Sequence, residues 1–193
     1  MGFFDQLPPE PSEPEAPPPP QPVWAKPEAE LPGAVAVELL VAHTDDAAVS
    51  INGLRAFRTG FEFTLSVMLR QEDRQHRLLE PRLLHFRQPG EAVPPQFLRF
   101  GLQFADGSVV SNLGWHPFAS GESEPVGPIL LAGSGGGGGR NYDMRYWVWP
   151  LPPRGPLLFV CQWPAVGIDE SRVEIDAGLV VEAASRSRQL WPE

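Results

Sequence analysis

The sequence predicts a mainly β protein: an antiparallel β-sandwich, jelly-roll-like or an open barrel, with one C-terminal α-helix. Segments after residue 33 alternate apolar and polar side chains with a period of two, which is typical of half-buried strands. Turn-forming pairs such as Asp106-Gly107 separate several of these segments. Helical spacing of apolar residues is clear only near the C-terminus, so helices are expected to be few.

The first 32 residues have a different composition and predict a disordered, acidic, Pro-rich tail before a single sandwich domain at residues 33–193. Eleven of the 24 prolines lie between Pro8 and Pro32. Because proline lacks an N–H and restricts its predecessor, helix and central strand are excluded there. The segment cannot bury enough apolar surface to offset its ordering entropy. Deleting residues 1–32 is therefore expected to leave the melting temperature nearly unchanged.

The tip of this tail is apolar, with Phe3, Phe4 and Leu7 close together. These side chains suit a tethered linear motif that inserts into a groove of a partner protein. The alternative is a tail that only solubilises the chain and acts as a spacer, the commoner role of Pro-rich segments.

The strands of the body are predicted in chain order from the alternation. Residues 61–69 place apolar side chains on one face and polar ones on the other, as a strand with one buried face does. Asn52-Gly53 interrupts the preceding strand and predicts a bulge or a turn. Further strands are expected at residues 34–43, 97–104, 109–110, 127–133, 141–150, 156–163 and 171–176.

One helix is predicted within residues 176–191, where Asp176 is a suitable N-cap. The apolar stripe near helical spacing consists of Leu179, Val180, Ala183, Ala184 and Leu190.

The glycine run before Arg140 does not match a phosphate-binding loop. Such a loop ends in Gly-Lys-Ser/Thr and opens a helix, whereas here Arg140-Asn141 and a strand follow. Since glycine accepts almost any φ, the run is predicted to be a flexible connection between Leu131 and Tyr142. An anion nest of backbone amides beside Arg140 is the alternative.

The strand after the glycines is rich in aromatic residues. Alternation places Tyr142 and Tyr146 on its core face and both Trp147 and Trp149 on the other. The second face is expected to be covered by the C-terminal helix, a partner chain or a ligand, because exposed apolar patches usually mark interaction sites. Burial of both faces is the competing interpretation, since large aromatic residues dominate cores.

Charge and composition exclude several classes of function. The formal net charge of −9 and the pI near 4.9 argue against nucleic acid and against anionic membrane surfaces. No apolar stretch is long enough to span a bilayer. The single cysteine, Cys161, excludes an intrachain disulfide and suits the cytoplasm. The four histidines are scattered, so no metal or other cofactor is predicted.

Three stretches resemble a family of actinobacterial β-rich proteins with no known activity. They are TGFEFTL, LQFADG and YWVWPLPPRGPLLFVCQWPAVGI. The resemblance implies a bacterial cytoplasmic β protein, and it carries over no functional residue.

The sequence thus predicts a non-catalytic cytoplasmic binding or self-association module with a protein partner. A small-molecule or carbohydrate-binding sandwich, with an aromatic patch beside the glycine segment, is the second hypothesis. An enzyme of unknown class is the third. The candidate interaction residues are Trp147, Trp149, Arg140, Tyr142, Phe3, Phe4 and Leu7.

Overall fold

A computed structural model describes residues 21–72, 77–84, 92–114 and 125–191. The tail tip, with Phe3, Phe4 and Leu7, lies outside these residues.

The described residues form twelve strands and two short helices. The strands are β1 (Glu30–Leu31), β2 (Gly33–Ala34), β3 (Leu39–His43), β4 (Ala47–Ala56), β5 (Phe61–Leu69), β6 (Arg99–Gln103), β7 (Val109–Ser111), β8 (Ile129–Gly138), β9 (Asn141–Trp149), β10 (Pro156–Trp163), β11 (Ile168–Asp176) and β12 (Arg188–Gln189). The helices are α1 (Pro81–Leu84) and α2 (Gly178–Ala184), and Pro164–Val166 forms a 3₁₀ turn.

The strands make two large antiparallel sheets and one small one. The larger sheet has six strands in the order β2-β4-β5-β9-β8, with β3 also paired to β4. The smaller sheet has the order β11-β10-β6-β7. β1 and β12 form a separate two-stranded ribbon.

Aromatic side chains join the two large sheets. Phe63 of the larger sheet has its ring centroid 5.7 Å from that of Phe100 and 5.4 Å from that of Phe159. Tyr146 stacks on both Phe63 and Phe100. All of these rings are buried. The prediction of a mainly β, antiparallel sandwich-like fold is confirmed.

Two local features follow the sequence closely. β4 shifts register relative to β5 between Asn52 and Arg55, with Gly53 at φ +59°, so the predicted irregularity is a β-bulge. Asp106-Gly107 forms the turn between β6 and β7, where Gly107 has φ +84° and the Ser108 amide donates to Asp106 Oδ1 at 2.9 Å.

The C-terminal helix is shorter than predicted. α2 ends at Ala184, and the chain then turns so that β12 pairs with β1. Leu190 therefore lies outside the helix and is exposed, and Leu179, although it lies within α2, is exposed as well. Asp176 accepts a hydrogen bond from the Gly178 amide at 2.8 Å, although the N-cap position is Ala177.

β9 and β10 look like adjacent strands in the sequence, but they belong to different sheets. β9 pairs with β5 and β8, while β10 pairs with β6 and β11. The intervening residues 150–155 include three prolines, which cannot supply the N–H groups of a ladder. The chain crosses the sandwich there.

Residues 21–32, which we call the N-terminal strap, pack on the sandwich. Glu30 and Leu31 pair with β12 at the far end of the chain. Buried Glu30 accepts hydrogen bonds from the Arg58 amide at 2.6 Å and from Arg58 Nε at 3.0 Å. Contacts with the body therefore begin before residue 33, the predicted start of the domain.

Candidate functional site at the glycine edge strand

The glycine run, Gly135–Gly139, forms the end of β8 and the start of the following turn, and β8 is an edge strand of the larger sheet. Within the described chain β8 pairs only with β9, and residues 133–138 are exposed. The prediction of a flexible connection was therefore wrong. Glycine has low strand propensity, but the adjacent β9 provides hydrogen-bonding partners that order the run.

The ladder between β8 and β9 is interrupted once. Register shifts between Ala132 and Gly135, which is a bulge at Gly133-Ser134. From Gly135 to Gly138 the pairing with β9 is regular. After the bulge, the regularly paired part of this edge is therefore four residues long and consists of glycine alone.

Arg140 completes a two-residue turn with Gly139, which has φ +65°. The Arg140 carbonyl accepts a hydrogen bond from the Leu69 amide at 2.7 Å, and Arg140 Nη1 donates to the Arg70 carbonyl at 3.1 Å. Both contacts are with the end of β5 and the residue after it. They fasten the hairpin tip to the neighbouring strand.

Tyr142 is buried against the glycine strand. A Cβ placed on Gly135 would lie 3.1 Å from Tyr142 Cε1 and 3.2 Å from its hydroxyl oxygen. The ring thus occupies the space that a side chain at position 135 would need. Tyr142 stabilises the hairpin and presents no exposed ring to a partner.

The glycine positions of β8 differ in whether a side chain would fit there. A Cβ on Gly137 would lie 2.1 Å from the Asn141 carbonyl oxygen, so the two backbones approach too closely for any side chain. A Cβ on Gly136 or Gly138 would meet no atom within 4 Å. The outward surface at those two positions is bare backbone.

Trp147 is buried within its own chain. Its indole Nε1 donates to the Trp24 carbonyl at 2.9 Å, and its ring meets Phe57 edge-on at a centroid distance of 5.5 Å. Only 6% of the residue is exposed. The competing interpretation, burial of both faces, therefore holds at Trp147, and the cover is the N-terminal strap instead of the C-terminal helix, a partner or a ligand.

An ion cluster fixes the strap beside Trp147. Glu62 of β5 is 2% exposed and binds both Lys26 of the strap and Arg55 of β4. Lys26 also lies over the Phe57 ring, 5.2 Å from its centroid. The chain has one lysine, and it makes both contacts.

Trp149 is half-buried and lies opposite Ile129 at the start of β8. With Trp147 covered, the two indoles do not form the exposed pair that their spacing suggested.

Several polar side chains that the structure describes line one depression of the surface. A depression of about 840 Å³ at the hairpin tip is lined by His43, Asp45, Arg70 and Arg140, among others. Arg70 Nη1 donates to the Asp45 carbonyl at 3.3 Å. Burial raises the pKa of the Cys161 thiol to about 12. In the described ranges, no three His, Cys, Asp or Glu side chains are grouped so that they could hold a metal ion.

Comparison with known proteins gives no relative from which a function could be transferred: no family model, curated protein or solved structure matches the chain. Among the described helices, none is both long and apolar enough to cross a bilayer. The resemblance to actinobacterial β-rich proteins stays a prediction from the sequence.

Proposed function

We propose that the protein is a non-catalytic cytoplasmic module that associates with a second copy of itself through the open edge of β8. The observation that carries the proposal is the exposed outer edge of Gly135–Gly138, which pairs with β9 on one side and, among the described residues, with no strand on the other. Such an edge is a template for another strand.

The geometry favours a second copy over a foreign strand. Strand addition gains affinity from main-chain hydrogen bonds and specificity from pockets for alternate side chains. The glycines offer the first and not the second, so the edge has no means of selecting a foreign sequence. Two antiparallel copies of one strand are self-complementary about a twofold axis. Their pairing would join two six-stranded sheets.

The contact is expected to be weak and reversible. A hydrogen bond contributes a net of about 0.5–1.5 kcal/mol, and glycine adds almost no apolar area. The bulge at Gly133-Ser134 limits the length of the regular edge.

The tail with Phe3, Phe4 and Leu7 is proposed to add a second, protein-directed contact. The described chain starts at Gln21, beside the strap residues Trp24 and Lys26. Through the strap, the tail is covalently joined to a segment that contacts Trp147 of β9. The net charge of −9 supports a protein partner rather than nucleic acid.

Sedimentation of the full-length protein over a wide concentration range tests the self-association. The wild type should shift reversibly from monomer to dimer. Gly136→Lys should weaken the dimer, since it places like charges across the twofold at a position with open space. Leu179→Lys is the matched control. Exposed Leu179 lies on α2, which contacts β2 and β4, at the other end of the strand order from β8.

A wild type that stays monomeric throughout would refute self-association. If Gly136→Lys and Leu179→Lys dimerise equally well, the β8 edge is not the contact. Fractionation of the native cell, with recovery outside the cytoplasm, would refute the proposed location.

A further inference from the structure

The outer face of the smaller sheet, to which β8 does not belong, contains a trough. One row across this face runs Arg172, Val160, Gly101 and Ser111 on β11, β10, β6 and β7. Gly101 has no side chain and its neighbour Ser111 has a short one, while the adjacent rows carry longer side chains such as Arg99, Gln162 and Gln103. The face is therefore concave at Gly101.

The absence of a side chain at Gly101 is required by its neighbours. A Cβ there would lie 2.7 Å from the Val110 carbonyl oxygen and 3.1 Å from Ser111 Cβ. Contacts this short would force the backbone of β7 to move. The floor of the trough is thus fixed by the close approach of β6 and β7.

The trough has the size and lining of a small-molecule site. Its volume is about 370 Å³, within the range of about 300–1,000 Å³ typical of ligand pockets. Val160 and the partly exposed backbone of Gly101 form an apolar floor. Val109, which is 67% exposed, lies at one rim. Gln103 and Gln162 add amide groups.

Arg99 gives the trough its charge. Arg99 Nη1 donates to Gln162 Oε1 at 2.7 Å, and Arg99 Nε is buried with no hydrogen-bond partner among the described residues. In the described chain, no carboxylate forms an ion pair with Arg99. Arg172, at the opposite side, is paired with Glu170 at 2.6 Å. The lining therefore carries one uncompensated positive charge in a chain of net charge −9.

We propose that this trough binds a small organic carboxylate with an apolar body. The carboxylate would bind the Arg99 guanidinium, whose planar donor fork matches it. The apolar body would lie on Gly101 and Val160, away from water. A buried donor without a partner is unfavourable, and a ligand oxygen that Arg99 turns towards would satisfy it. The site is independent of the β8 edge and of the proposed function.

Titration of the ¹⁵N-labelled full-length protein with phenylacetate, followed by NMR, tests the proposal. Phenylacetamide, with the same shape and no charge, is the matched ligand. Phenylacetate should give saturable shifts of amides in β6, β7 and β10 below about 10 mM, and phenylacetamide should bind at least about tenfold more weakly, as loss of a charged hydrogen bond predicts.

Arg99→Gln should weaken phenylacetate binding about tenfold or more, and the spectrum of the variant should remain that of a folded protein. Arg154→Gln is the control, since exposed Arg154 lies 3.9 Å from Glu182, outside the trough. Three results would each overturn the proposal: no saturable shift, equal affinity for the two ligands, or equal binding by the wild type and Arg99→Gln. Shifts confined to the hairpin tip at Arg140 would do so too. Because residues of β8 do not line the trough, Gly136→Lys should leave phenylacetate binding unchanged.

Discussion

Trp147 of β9 and Trp24 of the N-terminal strap are joined by a hydrogen bond of 2.9 Å from the indole Nε1 to the main-chain carbonyl. The bond links positions 123 residues apart. It explains how a tryptophan on the outward face of a sheet can be buried: the segment that precedes the sandwich covers the ring and accepts its only polar hydrogen.

Truncations of the N-terminus should separate the strap from the tail. Deleting residues 1–20 is expected to leave the melting temperature nearly unchanged, because its Pro-rich composition cannot build a core. Deleting residues 1–32 should lower it by about 6–12 °C, corresponding to about 3 kcal/mol in a chain of this size. This second expectation replaces the one drawn from the sequence, that deleting residues 1–32 leaves the melting temperature nearly unchanged. Calorimetry on both truncated chains measures the difference, and equal melting temperatures would show that the strap contributes nothing.

Lys26 and Arg55 are expected to act non-additively, since both bind the buried carboxylate of Glu62. Either Lys26→Met or Arg55→Met alone should cost about 1 kcal/mol, because the other cation remains. The double variant should cost about 3–5 kcal/mol, since it leaves a buried charge without a partner.

Urea unfolding of the four proteins of this double-mutant cycle gives the coupling free energy. Arg172→Met is a control for loss of an exposed arginine, because its partner Glu170 is also exposed. If the cost of the double variant equals the sum of the two single costs, the two cations do not share Glu62.

Trp147→Ala and Trp149→Ala should differ in stability. Trp147→Ala is expected to cost about 3–5 kcal/mol, as truncation of a buried tryptophan does, and Trp149→Ala less, because Trp149 is half-buried. Neither change should alter the sedimenting mass of the folded protein at a given concentration, since neither residue belongs to the β8 edge. A stable, smaller species of Trp147→Ala would restore the indole patch as an association surface.

Two neighbouring glycines should respond differently to alanine. Gly137→Ala is expected to destabilise the fold by about 1–3 kcal/mol, because the added Cβ would meet the Asn141 carbonyl oxygen. Gly138→Ala should be neutral or stabilising by a few tenths of a kcal/mol, since it meets open space and reduces the entropy of the unfolded chain. Chemical denaturation compares them. Similar losses of stability for both variants would show that Gly137 does not lie as close to the Asn141 carbonyl oxygen as described.

Stability should fall at alkaline pH through the Cys161 thiol. Burial raises its pKa from 9.0 to about 12, so the folded state keeps its proton where the unfolded state loses it. The contribution is complete below pH 9 and is lost progressively as the pH rises towards 12. Burial also raises the pKa of the Tyr146 hydroxyl, which acts in the same direction above pH 10.

Urea midpoints measured between pH 7 and pH 11 check this, with Cys161→Val as the comparison; the variant should lose less stability over that interval. A thiol reagent at pH 8 should react with Cys161 only after unfolding, because the residue is 1% exposed. Rapid reaction of the native protein would contradict the burial.

The local periodicity of the sequence determined the sandwich. Alternation at Phe61–Leu69 identifies a half-buried strand, and Asp106-Gly107 identifies a hairpin turn, because both depend on side chains a few residues apart. The same holds for the bulge at Asn52-Gly53. These features could be predicted without knowledge of any distant contact.

Tertiary structure alone decided what the glycines and the tryptophans do. The glycine run carries no side-chain pattern, so only its pairing with β9 makes it a strand. The sequence placed Trp147 on the outward face correctly but could not reveal its cover, because Trp24 lies 123 residues away in a segment of Pro-rich composition. Local propensity is set by neighbours in the chain, whereas burial is set by contacts between distant segments, and those contacts determine which surfaces stay open for binding.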